Sequence, residues 1–91
     1  MPKTDESMLN ELFELIASIE NAEDCRLLFD DLCTVNEIEQ MAQRVRAAKL
    51  LIDGKTYNQV IEETDISSAT LSRVSRCVRH GKGYSRFLQQ P

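Results

Sequence analysis

The stretch that decides the fold is Lys55–Val78, KTYNQVIEETDISSATLSRVSRCV. It reads as two short helices joined by a sharp turn, the helix-turn-helix unit whose second helix enters the DNA major groove. Thr56 followed three residues later by Gln59 is a capping box. The hydroxyl accepts from an early backbone N–H, and the Gln side chain accepts from the N–H of the capping residue. The spacing predicts a first helix from Tyr57 to Thr64. Asp65 stands at the turn, where a left-handed backbone is required and Asp is tolerated better than most residues. Ser67 or Ser68 caps the second helix, which is expected to reach about Val78.

Two faces emerge from this pattern. Val60, Ile66, Leu71 and Val74 are the apolar residues that seal two crossing helices, and Val78 continues the stripe at helical spacing. The opposite face of the second helix carries Ser68, Ala69, Ser72, Arg73 and Arg76. Short side chains permit close approach, and the two guanidiniums reach phosphate or guanine edges. With Thr56, Tyr57 and Asn58 at the start of the first helix, and Ser67 and Thr70 at the start of the second, these form the candidate DNA-contacting set. An ordinary amphipathic hairpin with a solvated basic face shows the same pattern, so the stretch alone does not decide between them.

Outward from this unit the chain is helical in both directions. Ser7 is expected to cap a first helix from Met8 to Glu20, with Leu9, Leu12, Phe13, Ile16 and Ile19 on one face; residues 1–6 read as frayed. Asn21 ends that helix and caps a second, whose stripe is Cys25, Leu28, Phe29 and Leu32. Asp30 and Asp31 lie near its C-terminal end, against the helix dipole. Thr34 and Glu37 form a second capping box. The central helix it opens carries Ile38, Met41, Val45, Ala48 and Ile52 on one face, widened by Ala42, Leu50 and Leu51, and ends at about Asp53 before Gly54. Beyond the motif, His80-Gly81-Lys82-Gly83 reads as a flexible basic link. A last short helix spans residues 84–90, anchored by Tyr84, Phe87 and Leu88. The expectation is one all-α domain over residues 1–91, of about six helices. Residues 1–33 supply dimerisation helices, 34–54 the central helix, and 55–78 the reading head.

At 91 residues the chain buries a modest fraction of its surface, and a dimer sharing one core follows naturally. No run of 18 apolar residues predicts a transmembrane helix, and no secretory signal is read at the start. Three cysteines without C-x-x-C spacing read as thiols in a reducing cytoplasm, not as a disulfide or zinc framework. The formal net charge is −4, but it is unevenly spread. Residues 1–42 hold eleven acidic and two basic side chains, and residues 43–91 hold nine basic and four acidic ones. From Ile66 onward every charged side chain is basic. An electrostatic footprint is local, so the basic C-terminal half is the part suited to phosphate. No catalytic set, P-loop or nucleophile elbow can be assembled around the single histidine, His80, and no enzyme, metal site or cofactor is expected.

The segment CTVNEIEQMAQRVRAAKLLIDGKTYNQVIEETDISSATLSRVSRCVRHG resembles the Trp repressor family, and its short YerC/YecD-type branch in particular. The matching points are Thr34-x-x-Glu37, Gln43-Arg44-Val45-Arg46, the Gly54 stop and Ala69-Thr70-Leu71-Ser72-Arg73. The resemblance implies an intertwined homodimer that sets two reading heads on adjacent major grooves of double-stranded DNA. It also implies an effector site whose polar part is Thr34, Arg44 and Arg73. Two positions depart from the tryptophan-responsive members: Val74 stands where they have Gly beside the indole, and Cys77 where they have Ser. The loop between Gly54 and Thr56 is also one residue shorter. The resemblance thus implies anchors for an unidentified small corepressor while disfavouring tryptophan itself. Two readings of function follow. One is a cytoplasmic, sequence-specific DNA-binding regulator, a repressor by resemblance, acting as a homodimer. The other is a helical interaction module that docks on the transcription machinery through its acidic N-terminal half.

Overall fold

A computed structural model of the chain describes residues 4–89. Among these residues it holds six helices and no strand, as expected of an all-α fold: α1 Glu6–Ala17, α2 Ala22–Leu32, α3 Val35–Ile52, α4 Tyr57–Thr64, α5 Ser68–His80 and α6 Gly83–Leu88. No helix among them is long and apolar enough to cross a membrane. The chain divides into two compact units, Met1–Val35 and Asn36–Pro91.

In the first unit, α1 starts earlier than the sequence suggests. Asp5, not Ser7, is its N-cap; the carboxylate accepts from the Met8 N–H at 3.0 Å and from the Ser7 hydroxyl at 2.8 Å. Those hydrogen bonds, the Met8 N–H first, hold the Asp5 carboxyl below its ordinary value. The residues expected to fray are therefore helical from Glu6 on, and residues 1–3 lie outside the described part. At the other end α1 stops at Ala17, three residues before the expected Glu20. The Ser18 hydroxyl donates to the Leu15 carbonyl at 2.6 Å and competes with helix continuation there. Asn21 does not end α1, but it does cap α2, accepting from the Asp24 N–H at 2.8 Å. Neither helix has a buried residue.

The second unit is built on α3. Its C-terminus closes as the glycine signal predicts. Gly54 has φ +92, the Gly54 N–H donates to the Leu51 carbonyl, and the Lys55 N–H donates to the Leu50 carbonyl, both at 3.0 Å. This pair of bonds is the Schellman arrangement, which satisfies two carbonyls the helix leaves open. The buried face of α3 agrees with the expected one at Ala48, which is fully buried, but is rotated towards Ala47, also fully buried, while Val45 remains 42% exposed. Small side chains are what allow a neighbouring helix to approach closely.

The core is a single cluster of Ala47, Ala48, Val60, Ile66, Leu71 and Val74, flanked by Leu50, Leu51, Ile61, Val78, Tyr84 and Leu88. The four sealing residues expected from the motif are all in it. The basic link beyond the motif is shorter than expected. α5 runs on through His80, Gly81 receives its last turn, and Gly83 already begins α6. α6 closes at Leu88, and residue 90 of the expected 84–90 helix lies outside the described residues.

Candidate nucleic-acid interface

The reading head forms because three local signals agree. The Thr56 hydroxyl accepts from the Gln59 N–H at 3.2 Å, and the Gln59 side chain accepts from the Thr56 N–H at 2.9 Å, which completes the capping box. Asp65 takes the left-handed conformation, φ 60 and ψ 22, and turns the chain from α4 towards α5. Ser67 caps α5: its Oγ accepts from the Thr70 N–H at 3.2 Å, and its hydroxyl pairs with the Thr70 hydroxyl at 2.9 Å. Thr64 adds a link that the sequence did not signal. Its hydroxyl donates to the Val60 carbonyl at 2.7 Å and accepts from the Ile66 N–H at 3.3 Å, so one side chain ties the last turn of α4 to the turn.

These caps leave a specific set of groups for a ligand. Tyr57 and Asn58 in α4, and Ser68 and Ala69 in α5, occupy the first two helical positions. Their N–H groups have no partner inside a helix and carry the positive end of its dipole, which favours phosphate oxygens. Ser67, Ser68, Ala69, Ser72, Arg73 and Arg76 are exposed, as are Thr56, Tyr57 and Asn58, and Thr70 is half-buried. On α5 the buried Leu71, Val74 and Ser75 take one side, and the exposed serines and arginines take the other. The head is held to α3 by the shared core and by Gln43, whose Nε2 donates to the Thr64 carbonyl at 3.2 Å.

The three expected effector residues are Arg44, Arg73 and Thr34. Arg44 is half-buried and lines a polar cleft of about 300 Å³ with Gln40, Asp65, Ser67 and Thr70. Arg73 is not among the residues lining that cleft; it is exposed on α5. Thr34 is exposed and belongs to the first unit. Val74 is 1% exposed, locked among Ala47, Ala48, Val60, Ile66 and Leu71. A second cleft, apolar and about 440 Å³, is lined by Val45, Cys77, Tyr84, Phe87 and Leu88, and Phe87 is 71% exposed beside it.

Residues 7–91 match the family described as Trp repressor protein. The chain is 48% identical over 73 residues to the uncharacterized protein YerC of Bacillus subtilis, an alignment covering 80% of this chain and 70% of that one. Two crystal structures are similar in fold. One is a candidate Trp repressor of Staphylococcus aureus, with a TM-score of 0.88 and 43% identity over 93% of this chain and 86% of that one. The other is a TrpR-like protein of Eubacterium eligens, with a TM-score of 0.85 and 36% identity over 93% and 88%.

Proposed function

The chain belongs to the Trp repressor family, and from that premise we propose that it is a sequence-specific regulator of transcription that binds double-stranded DNA as a homodimer and represses. One observation carries the reading. The exposed side of α5 holds small side chains, arginines and His80, on a helix whose other side is sealed into a core. Ser68, Ala69 and Ser72 permit the helix to sit close to base edges, while Arg73 and Arg76 reach guanine or phosphate. Tyr57, Asn58 and the capped start of α4 hold the adjacent backbone.

Homodimerisation is supported by what the N-terminal helices lack. Phe13 is 62% exposed and Leu27 64%, and nothing in α1 or α2 is buried within the single chain. Apolar surface of that kind calls for a partner, and a second copy also supplies the second head that a two-fold operator requires. The head itself is set without a small ligand, since Val74 already fills the space beside α5 with its own side chain. Arg44 and Arg73 remain available to a small carboxylate, because an arginine fork matches it in charge and shape.

The test is selection of bound sequences from a random duplex pool, followed by titration of the winner at several salt concentrations. A two-fold related sequence and a steep salt slope are expected. A flat slope, with binding instead to RNA polymerase components through the acidic helices, would replace this reading with the docking module.

A further inference from the structure

Thr64 stands where α3, α4 and the turn into α5 meet. Its hydroxyl donates to the Val60 carbonyl at 2.7 Å, one turn back in α4, and accepts from the Ile66 N–H at 3.3 Å, two residues ahead. Its own carbonyl accepts from Gln43 Nε2 of α3 at 3.2 Å. The three bonds flank Asp65, whose left-handed backbone is strained for a residue that carries a Cβ. A hydroxyl bonded to the N–H two residues on is a local turn device, and it holds the chain in that strained bend. Ile66 is only 3% exposed, so water is a poor substitute for the hydroxyl at its N–H.

We infer that the Thr64 hydroxyl is a positioning group: it sets the angle at which α5 leaves the turn, and through that angle the protein's discrimination between duplex sequences. The second half rests on the DNA-binding reading above. Leu71 and Val74 hold α5 on the core, but apolar attraction is non-directional and does not by itself choose an angle. The direction of α5 is decided at the turn, where Thr64 fixes the backbone on both sides of Asp65. α5 has 13 residues, so at about 1.5 Å per residue it is about 20 Å long, and a tilt of about 10° at the turn carries its far end about 3 Å. Hydrogen bonds to bases form within about 2.7–3.2 Å and weaken steeply outside that geometry, so a displacement of that size breaks them. Attraction to phosphate charge reaches about 8–10 Å in ordinary salt and survives it. This holds whichever way α5 meets the groove. A head that has lost the hydroxyl therefore still binds DNA but reads it poorly.

The experiment compares full-length wild type, Thr64→Val and Thr64→Ser. Valine keeps the shape and loses the hydroxyl; serine keeps the hydroxyl and loses the methyl. Residual dipolar couplings of backbone amides give the orientation of α5 against α3 without DNA. Thr64→Val is expected to turn the α5 couplings as a block, and Thr64→Ser to match wild type. Each protein is then titrated, below its melting temperature, with the selected duplex and a scrambled one. On the selected duplex Thr64→Val should lose about tenfold, the scale of one mismatched base pair. On the scrambled duplex, where charge dominates, it should change less than about twofold. Thr64→Ser should restore the wild-type ratio. Unmoved couplings in Thr64→Val, an equal loss on both duplexes, or a serine variant that has lost the ratio would overturn the assignment. Two checks stand even where Thr64→Val does not fold: the serine variant, and the Ile66 amide of wild type, whose rapid hydrogen exchange would show that the bond does not hold. If wild type binds both duplexes equally, the DNA-binding reading has failed instead, and the couplings still judge the hydroxyl.

Discussion

Gln43 on α3 donates through Nε2 to the carbonyl of Thr64, the last residue of α4, across 3.2 Å and 21 positions of sequence. The bond meets the end of α4 where the chain begins its turn, so it holds the reading head at a defined angle on the central helix. It is half-buried, which makes its loss felt. Gln43→Ala is expected to lower stability by about 1 kcal/mol, the usual net worth of one such bond. Urea denaturation checks this, with a lower midpoint at an unchanged slope. Because the bond orients the head, operator affinity should fall in the same variant at temperatures where it is fully folded.

Asp65 carries the only positive φ among the described non-glycine residues. Glycine has no penalty in that region, so Asp65→Gly is expected to be neutral or to stabilise by up to about 0.5–1 kcal/mol. A β-branched residue clashes there, and Asp65→Val should cost about 1–2 kcal/mol or more. Thermal melting of the pair checks the order, and a Val variant as stable as the Gly variant would contradict the left-handed turn.

The two glycines after α5 make opposite predictions. A Cβ at Gly81 would lie 2.7 Å from the Cys77 carbonyl oxygen, a backbone atom with little freedom to move, so Gly81→Ala is expected to destabilise. A Cβ at Gly83 meets nothing within 4 Å, and Gly83 begins α6. Gly83→Ala should therefore stabilise by a few tenths to about 1 kcal/mol, through helix propensity and a less flexible unfolded chain. Parallel melting curves distinguish the two.

Val74 bears on the effector. Calorimetric titration with L-tryptophan is expected to show weak binding or none, and operator affinity should not change on its addition. Micromolar binding that tightens the operator complex would refute this. Val74→Gly removes a fully buried side chain and places glycine inside a helix. Together these should cost about 2 kcal/mol or more, and DNA binding should weaken with them.

For the dimer, sedimentation at micromolar concentration should give twice the chain mass. Phe13→Glu, on an exposed apolar face of α1, should shift the equilibrium towards monomer and flatten the DNA-binding curve without unfolding α3–α5. A monomeric wild type with the fold intact would contradict the homodimer.

The parts of the fold that were legible in sequence are those governed by neighbours in the chain. The α4 boundaries, the Asp65 turn and the Ser67 cap each involve atoms three or four residues apart, and side-chain chemistry decides them locally. The four sealing residues Val60, Ile66, Leu71 and Val74 followed because two short helices offer few ways to hide an apolar side chain. The start of α1 was less legible because Asp5 and Ser7 are both good caps; the structure resolves this by making Ser7 a donor to Asp5. On α3 the expected face holds at the buried Ala48, but Val45 and Ala47 exchange places for another reason. Hydrophobicity favours Val45, but close approach of a second helix favours Ala47, and approach is a property of the folded chain. The same holds for the site. Its helix-start residues could be read, whereas the cleft that brings Arg44 beside Asp65 and Thr70 joins positions more than twenty residues apart.

The uneven placement of buried residues also has a consequence in time. Among the described residues every fully enclosed apolar side chain lies between Ala47 and Val74, whereas α1 and α2, twelve and eleven residues long, enclose none of their own. Isolated helices of that length open readily in water. Backbone amides of α3 and α5 should therefore exchange with deuterium only through rare global opening, while those of α1 and α2 exchange rapidly from a lone chain. Protection in α1 and α2 should then rise with protein concentration while that in α5 stays constant. The lifetime of an amide in the N-terminal third would thus measure how often the chain is alone.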